Sequence, residues 1–227
     1  MALPATATFT AANGTALTTY SASWTLNYGN FDIQSNALHS NGGDGTTDAL
    51  AHWNADTFND NQYSQAVWTT VGTNFNYLGV ACRLAASAAT GYNFLASSGD
   101  KWYFAKYVNG TGTNLASSSV NMPTAGDTYY IEANGTTITV KENTTTLSSV
   151  TDSSIASGSA GVTGNGTGGN GLIDTWEGGN LGTTTLSVSV TDSATISETI
   201  GRTLSTSAVS VTDAATISET ITARLLA

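Results

Sequence analysis

Two carboxylates held about 5 to 5.5 Å apart would cleave a glycosidic bond with retention. The acidic residues nearest to pairing are Asp44 with Asp48, Asp56 with Asp60, and Asp174 with Glu177. They sit on loops or alternate across a strand, where a carboxylate is a solvated turn residue. His39 and His52 are the only histidines, thirteen residues apart and without cysteine support, so zinc or iron has no ligand spacing here. No Gly-x-Ser-x-Gly is present to carry a nucleophilic serine. The run Gly164-Asn-Gly-Thr-Gly-Gly-Asn-Gly171 lacks the Lys-Ser/Thr of a phosphate cradle and reads as a loop between strands. Cys82, the one cysteine, lies within the apolar run Tyr77 to Leu84 and is expected to be a small buried hydrophobe.

The positive signal is aromatic. Tyr92, Phe94, Trp102, Tyr103, Phe104 and Tyr107 fall on two adjacent strand-like segments, and alternation sends about half of them to each face. One face is core. Rings on the other, beside Arg83, would suit stacking on a sugar with a polar handle. Arg83, Tyr92, Trp102 and Tyr107 are therefore the candidate ligand-binding residues.

The elements that must position them read as antiparallel β throughout. From Thr128 to Thr151 apolar and polar residues alternate, interrupted by Asn134-Gly135 and Glu142-Asn143, which predicts a three-strand meander. Upstream, Thr6 to Thr10, Leu17 to Leu26, Phe31 to Ile33, Ala37-Leu38, Ala49 to Trp53, Tyr63 to Thr70, Tyr77 to Leu84, Tyr92 to Ala96, Trp102 to Val108 and Leu115 to Met122 read as further strands. About a dozen strands at regular spacing indicate a sandwich or jelly roll, with no amphipathic helix.

The order of the Gly126-Asp-x-Tyr129 strand, the Asn134-Gly-Thr136 turn, Val150-Thr-Asp-Ser153, Ile155 to Gly161 and the closing Ile173-Asp-x-Trp-Glu177 resembles the concanavalin A-like, laminin-G-like jelly roll. Phe9 to Leu17 followed by Trp24 is similar to the first strand of that family, and the likeness covers Ala7 to Gly178. The family includes lectins, glycan hydrolases, adhesion modules and virion proteins, so the resemblance implies a fold before a function. Its hydrolases commonly carry Glu-x-Asp-x-Glu or Glu-x-Asp-x-x-Glu, and neither is present, which implies a chain that is not an enzyme. Its members often bind calcium through loop carboxylates. Calcium is thus a possible cofactor, with no residue set to name.

Composition narrows the class. Charged residues make up 10% of the 227, and six basic against sixteen acidic residues give a net charge of -10, which repels a phosphate backbone. Nucleic acid is not an expected partner. No stretch approaches 18 consecutive apolar residues, so no membrane helix is expected. Five Asn-x-Thr sequons occur, and four are Asn-Gly-Thr, where turn formation explains them.

After Gly179 the composition changes. All aromatic residues lie at or before Trp176, and Val188 to Ile200 recurs 21 residues later as Val209 to Ile221. The layout is read as a jelly roll over 1-180 and a tail of two β-hairpin repeats over 181-227. Val188, Val190, Ile196 and Ile200, with Val209, Val211, Ile217 and Ile221, form its apolar side and the candidate face for attachment or a homo-oligomer, with a trimer preferred.

The start, Met1 to Phe9, shows neither the basic nor the apolar region of an export signal. With no catalytic pair and a two-part layout, the reading is a structural protein of a virion surface, a phage decoration or fibre protein contacting other virion proteins. The alternative is a carbohydrate-binding or adhesion module of a secreted or cell-surface protein.

Overall fold

Strict alternation sorts each strand into an inward and an outward row. In Gln62 to Trp68 every second side chain is buried, and the sheet that results can cover a core on one side only. The computed structural model describes residues 3–41, 48–71, 77–97, 101–165 and 170–182. The chain divides into two units, Met1–Leu181 and Gly182–Ala227. The repeats and their candidate face, Val188 to Ile221, lie outside the described residues.

In chain order the strands are β1 (Ala5–Ala7), β2 (Thr15–Ala16), β3 (Trp24–Tyr28), β4 (Phe31–Gln34), β5 (Ala37–Ser40) and β6 (Asp48–Trp53). There follow β7 (Gln62–Thr70), β8 (Tyr77–Leu84), β9 (Gly91–Ala96), β10 (Trp102–Val108) and β11 (Thr111–Ser118). The last five are β12 (Thr128–Asn134), β13 (Thr137–Glu142), β14 (Thr145–Thr151), β15 (Ser159–Asn165) and β16 (Leu172–Asn180).

They form two antiparallel sheets. One has nine strands in the order β14-β13-β12-β7-β16-β5-β4-β2, with β1 also on β16; the other has seven, β11-β10-β9-β8-β15-β6-β3. The expected all-β sandwich and its β12-β13-β14 meander are present.

Two boundaries differ from the sequence reading. Leu17–Tyr20 is a single helical turn, so the strand expected from Leu17 begins only at Trp24. Leu17 is buried, and the Phe9 amide donates to the Tyr20 hydroxyl at 3.2 Å, which holds the turn against the first strand's exit. The strand expected over Leu115 to Met122 instead runs Thr111–Ser118, starting directly after a two-residue turn at Asn109-Gly110. Asn109 and Gly110 both have positive φ, 50° and 82°, as a tight primed hairpin turn requires.

The core between the sheets is built on tryptophan. Trp24, Trp53, Trp68, Trp102 and Trp176 are all at most 5% exposed. Trp176, on the nine-stranded sheet, meets Trp24 edge-on at 4.7 Å and stacks on Trp53 at 5.5 Å, both on the seven-stranded sheet. Phe94 stacks on Tyr129 across the same gap at 4.1 Å. Cys82 is buried in this core, and burial pushes its thiol up to about 12, as expected of an inert core cysteine.

Candidate functional site

Three of the four side chains expected on an exposed aromatic face lie in the interior. Tyr92 and Trp102 share a face with Phe94 and Phe104 and pack into the core, at 0% and 5% exposure. Arg83 is 2% exposed. Alternation from Val80 and Cys82, which face inward, would turn Arg83 outward. Instead Arg83 takes a left-handed φ of 51° where the β15–β8 register shifts, and its guanidinium enters the end of the sandwich. There it donates to the carbonyls of Asp60, Ile155 and Gly135. None of these three offers a surface to a ligand.

Tyr92 has a structural task of its own. Its hydroxyl donates to Asp152 Oδ1 at 2.7 Å, and Lys106 Nζ reaches Asp152 Oδ2 at 2.5 Å. Burial pushes the Tyr92 hydroxyl up to about 12. Burial alone would raise the Asp152 carboxyl, but its bonds from Lys106, Ser154 and Tyr92 hold it well below the usual carboxylate range.

Tyr107 does face outward and is half-buried. It belongs to the outer row of β10 with Tyr103 and Ala105, opposite the inward Phe104. Its ring lies along Gly112 of β11, where a Cβ would come within 3.1 Å of it. Burial pushes its hydroxyl above the ordinary tyrosine range, and the bond it donates to Asp48 pushes it further, so its proton is committed to that carboxylate.

The same outer face of the seven-stranded sheet carries the other polar groups. Asn93 stands between Ala105 on β10 and Ala81 on β8, so from either side a methyl is the largest neighbour in its row. It is 0% exposed, and neither its Oδ1 nor its Nδ2 has a hydrogen-bond partner. Such an orphaned buried amide costs about 1 to 3 kcal/mol and calls for an explanation. Toward one end, Tyr77 and Tyr103 meet edge-to-face at 5.4 Å, and Asn165 Nδ2 donates to Asp48 Oδ1 at 2.7 Å. Toward the other, Leu84 fills the space left by Gly161 and Gly91 and packs with Leu50, Ala81 and Ala89. The 85–90 connection is thereby held over this part of the sheet, braced by Asn27 Nδ2 donating to the Ala85 carbonyl.

That last bond fixes the amide of Asn27, and its Oδ1 accepts from His52 Nδ1 at 2.8 Å. The proton therefore sits on Nδ1, and Nε2 is left as an acceptor. Desolvation lowers the pKa of His52, which is buried. The folded state resists a proton that the unfolded chain accepts near pH 6.5. Stability is expected to fall as pH drops below about 6.5 and to level off once the folded pKa is passed. Melting temperatures at pH 7.5, 6.5 and 5.5 should show this slope, and His52→Gln should flatten it. An equal slope in the variant would assign the effect elsewhere.

The remaining chemistry is dispersed. His39 lies on β5 and bonds Asp32 at 2.8 Å, while His52 lies on β6 of the other sheet. Asp56 accepts from Trp53 Nε1. Asp174 and Glu177 straddle a bulge in β16. Among the described residues no group of three His, Cys, Asp or Glu is placed to hold a metal ion, so they do not supply a carboxylate set for calcium. A single asparagine in Gly-Tyr-Asn-Phe-Leu-Ala carries no motif, and the signal the sequence offers for Asn93 is its polar type inside an apolar strand.

No family model matches the sequence, and no curated protein does. Solved structures do. The chain is similar to the carbohydrate binding module CBM66 from Bacillus subtilis, with 16% identity and a TM-score of 0.57 over 70% of this chain and 96% of that one. It is also similar to the exoplasmic/lumenal domain of VIP36 in its Ca2+/Man-bound form, with 11% identity and a TM-score of 0.50 over 70% and 83% of the two chains. At these identities the likeness is one of fold.

Proposed function

We propose that this chain, a concanavalin A-like jelly roll, is a non-enzymatic carbohydrate-binding module whose ligand lies on the outer face of the seven-stranded sheet. The observation that carries the reading is the accessible outer row of that face, where Tyr77 and Tyr103 meet edge-to-face and Tyr107 is half-buried, with Asn93 beneath it as a buried amide whose two polar atoms are unpartnered. A sugar hydroxyl both donates and accepts, which is what the amide oxygen and nitrogen of Asn93 require, and at 0% exposure Asn93 meets it only once a covering side chain moves aside. The Tyr77–Tyr103 pair gives an edge of aromatic surface for the ring's C–H face, and the Tyr107 hydroxyl, whose proton goes to Asp48, can accept from a sugar hydroxyl.

Similarity to a carbohydrate-binding module and to a lectin-like domain supports this reading above the virion one, for which the described residues offer no separate support. A secreted or cell-surface setting goes with it. The protein should bind a discrete set of glycans on an array, and Tyr103→Ala should weaken the strongest signal at least tenfold, as loss of a stacking ring in a small site does. Arrays run with and without calcium distinguish a metal-assisted site from a direct one. A blank array under both conditions would overturn the proposal.

A further inference from the structure

We propose that a groove on the opposite face of the sandwich is a second binding site, for a neutral polyhydroxylated ring of about one sugar unit. It has a volume of about 170 Å³ and crosses four strands of the nine-stranded sheet, with Thr6, Gln65, Val67, Thr128, Thr175 and Glu177 on its walls. The inference does not depend on anything binding to the seven-stranded sheet.

The lining selects the ligand. Threonine hydroxyls and one glutamine amide give donors and acceptors in mixture, Val67 and Ala7 give a small apolar patch, and no Lys or Arg is among the lining residues. One carboxylate and no cation disfavour an anion, while a polyol offers hydroxyl donors to the carboxylate and C–H groups to the apolar patch.

Glu177 is already set for that role. Its Oε1 accepts from the Tyr63 hydroxyl at 2.6 Å and from Gln65 Nε2 at 3.1 Å, which fixes the side chain, and its Oε2 has no protein donor among the described residues. Tyr63 is itself held by stacking on Tyr130 at 5.6 Å, with Lys141 4.8 Å over the Tyr130 ring. The support extends through Tyr130 to Glu132, which also bonds Lys141.

The second observation is strain. Thr175 has φ 51°, which a β-branched residue adopts only at a cost of about 1 to 3 kcal/mol. It sits in the bulge where β16 slips against β7 between Asp174 and Glu177, and it is exposed. A threonine there, where glycine would be unstrained, puts a hydroxyl-bearing side chain on the lining of the groove, two residues from Glu177.

The test is a titration of isotope-labelled protein with methyl mannoside, methyl galactoside and fructose at millimolar concentration, followed by NMR. The Gln65 side-chain amide and the Thr175 backbone amide are the reporters. At least one sugar should shift both, with affinity about tenfold weaker in Glu177→Gln and lost in Thr8→Trp, which fills the exposed end of the groove. Tyr103→Ala, on the other face, should leave these shifts unchanged. Silent reporters with every sugar, or shifts indifferent to both groove variants, would overturn the second site. Shifts confined to Asn93 and Tyr103 would do the same while leaving the first site standing.

Discussion

Arg83→Met is expected to lower the unfolding free energy by about 4 to 5 kcal/mol, because hydrogen bonds to a charged donor contribute roughly 1.5 to 3 kcal/mol each and three are lost together. Arg83 Nε donates to Asp60 O at 3.0 Å, Nη1 to Ile155 O at 2.8 Å and Nη2 to Gly135 O at 2.6 Å. The three carbonyls belong to the connection before β7, the segment between β14 and β15, and the β12–β13 turn. One guanidinium therefore closes one end of the sandwich. Gly158 lies against the Arg83 backbone with φ 146°, so a side chain there would strain the same corner. Arg83→Lys should recover only part of the loss, since an ammonium cannot span three divergent acceptors. Urea midpoints report the change, and a loss under 1 kcal/mol in Arg83→Met would show that the three segments hold without it.

Trp176→Ala should cost about 4 kcal/mol, the middle of the range for a buried aromatic cut to a methyl. The ring is fully buried, wedged between Trp24 and Trp53, and its Nε1 donates to Ser64 Oγ at 2.9 Å. Ser64 Oγ in turn donates to Gly161 O at 2.7 Å on the opposite sheet. The substitution thus opens a cavity and loosens the polar bridge between the layers. Gly178 is a glycine for the same reason, since a Cβ there would come 2.6 Å from the indole. Trp176→Phe keeps most of the volume and loses the N–H, and should cost about half as much. Equal midpoints for Trp176→Ala and the parent protein would contradict this packing.

What could be read from the sequence follows from what is local. The β12–β14 meander announces itself through alternation and an Asn-Gly turn, and β7 through a period of two, because both signals sit within a few residues. The face of each aromatic is different. Trp102 and Tyr107 are five residues apart, so in an unbroken strand they cannot share a face; packing against Phe94 sent Trp102 inward and left Tyr107 outside. Arg83 escaped because a left-handed residue reverses the count, and nothing in Ala-Cys-Arg-Leu marks it. Tyr63 and Glu177 are 114 residues apart, and only the pairing of β7 with β16 brings them together.

The most direct measurement pairs stability with binding in a single substitution, Asn93→Ala. Removing a buried amide that has no protein partner should raise the unfolding free energy by about 1 kcal/mol. Removing the polar floor of a glycan site should weaken the best array glycan at least tenfold, a trade of stability against function. A higher urea midpoint together with that loss of affinity is the expected result. A lower midpoint with undiminished glycan affinity would contradict the assignment of this face as the binding site.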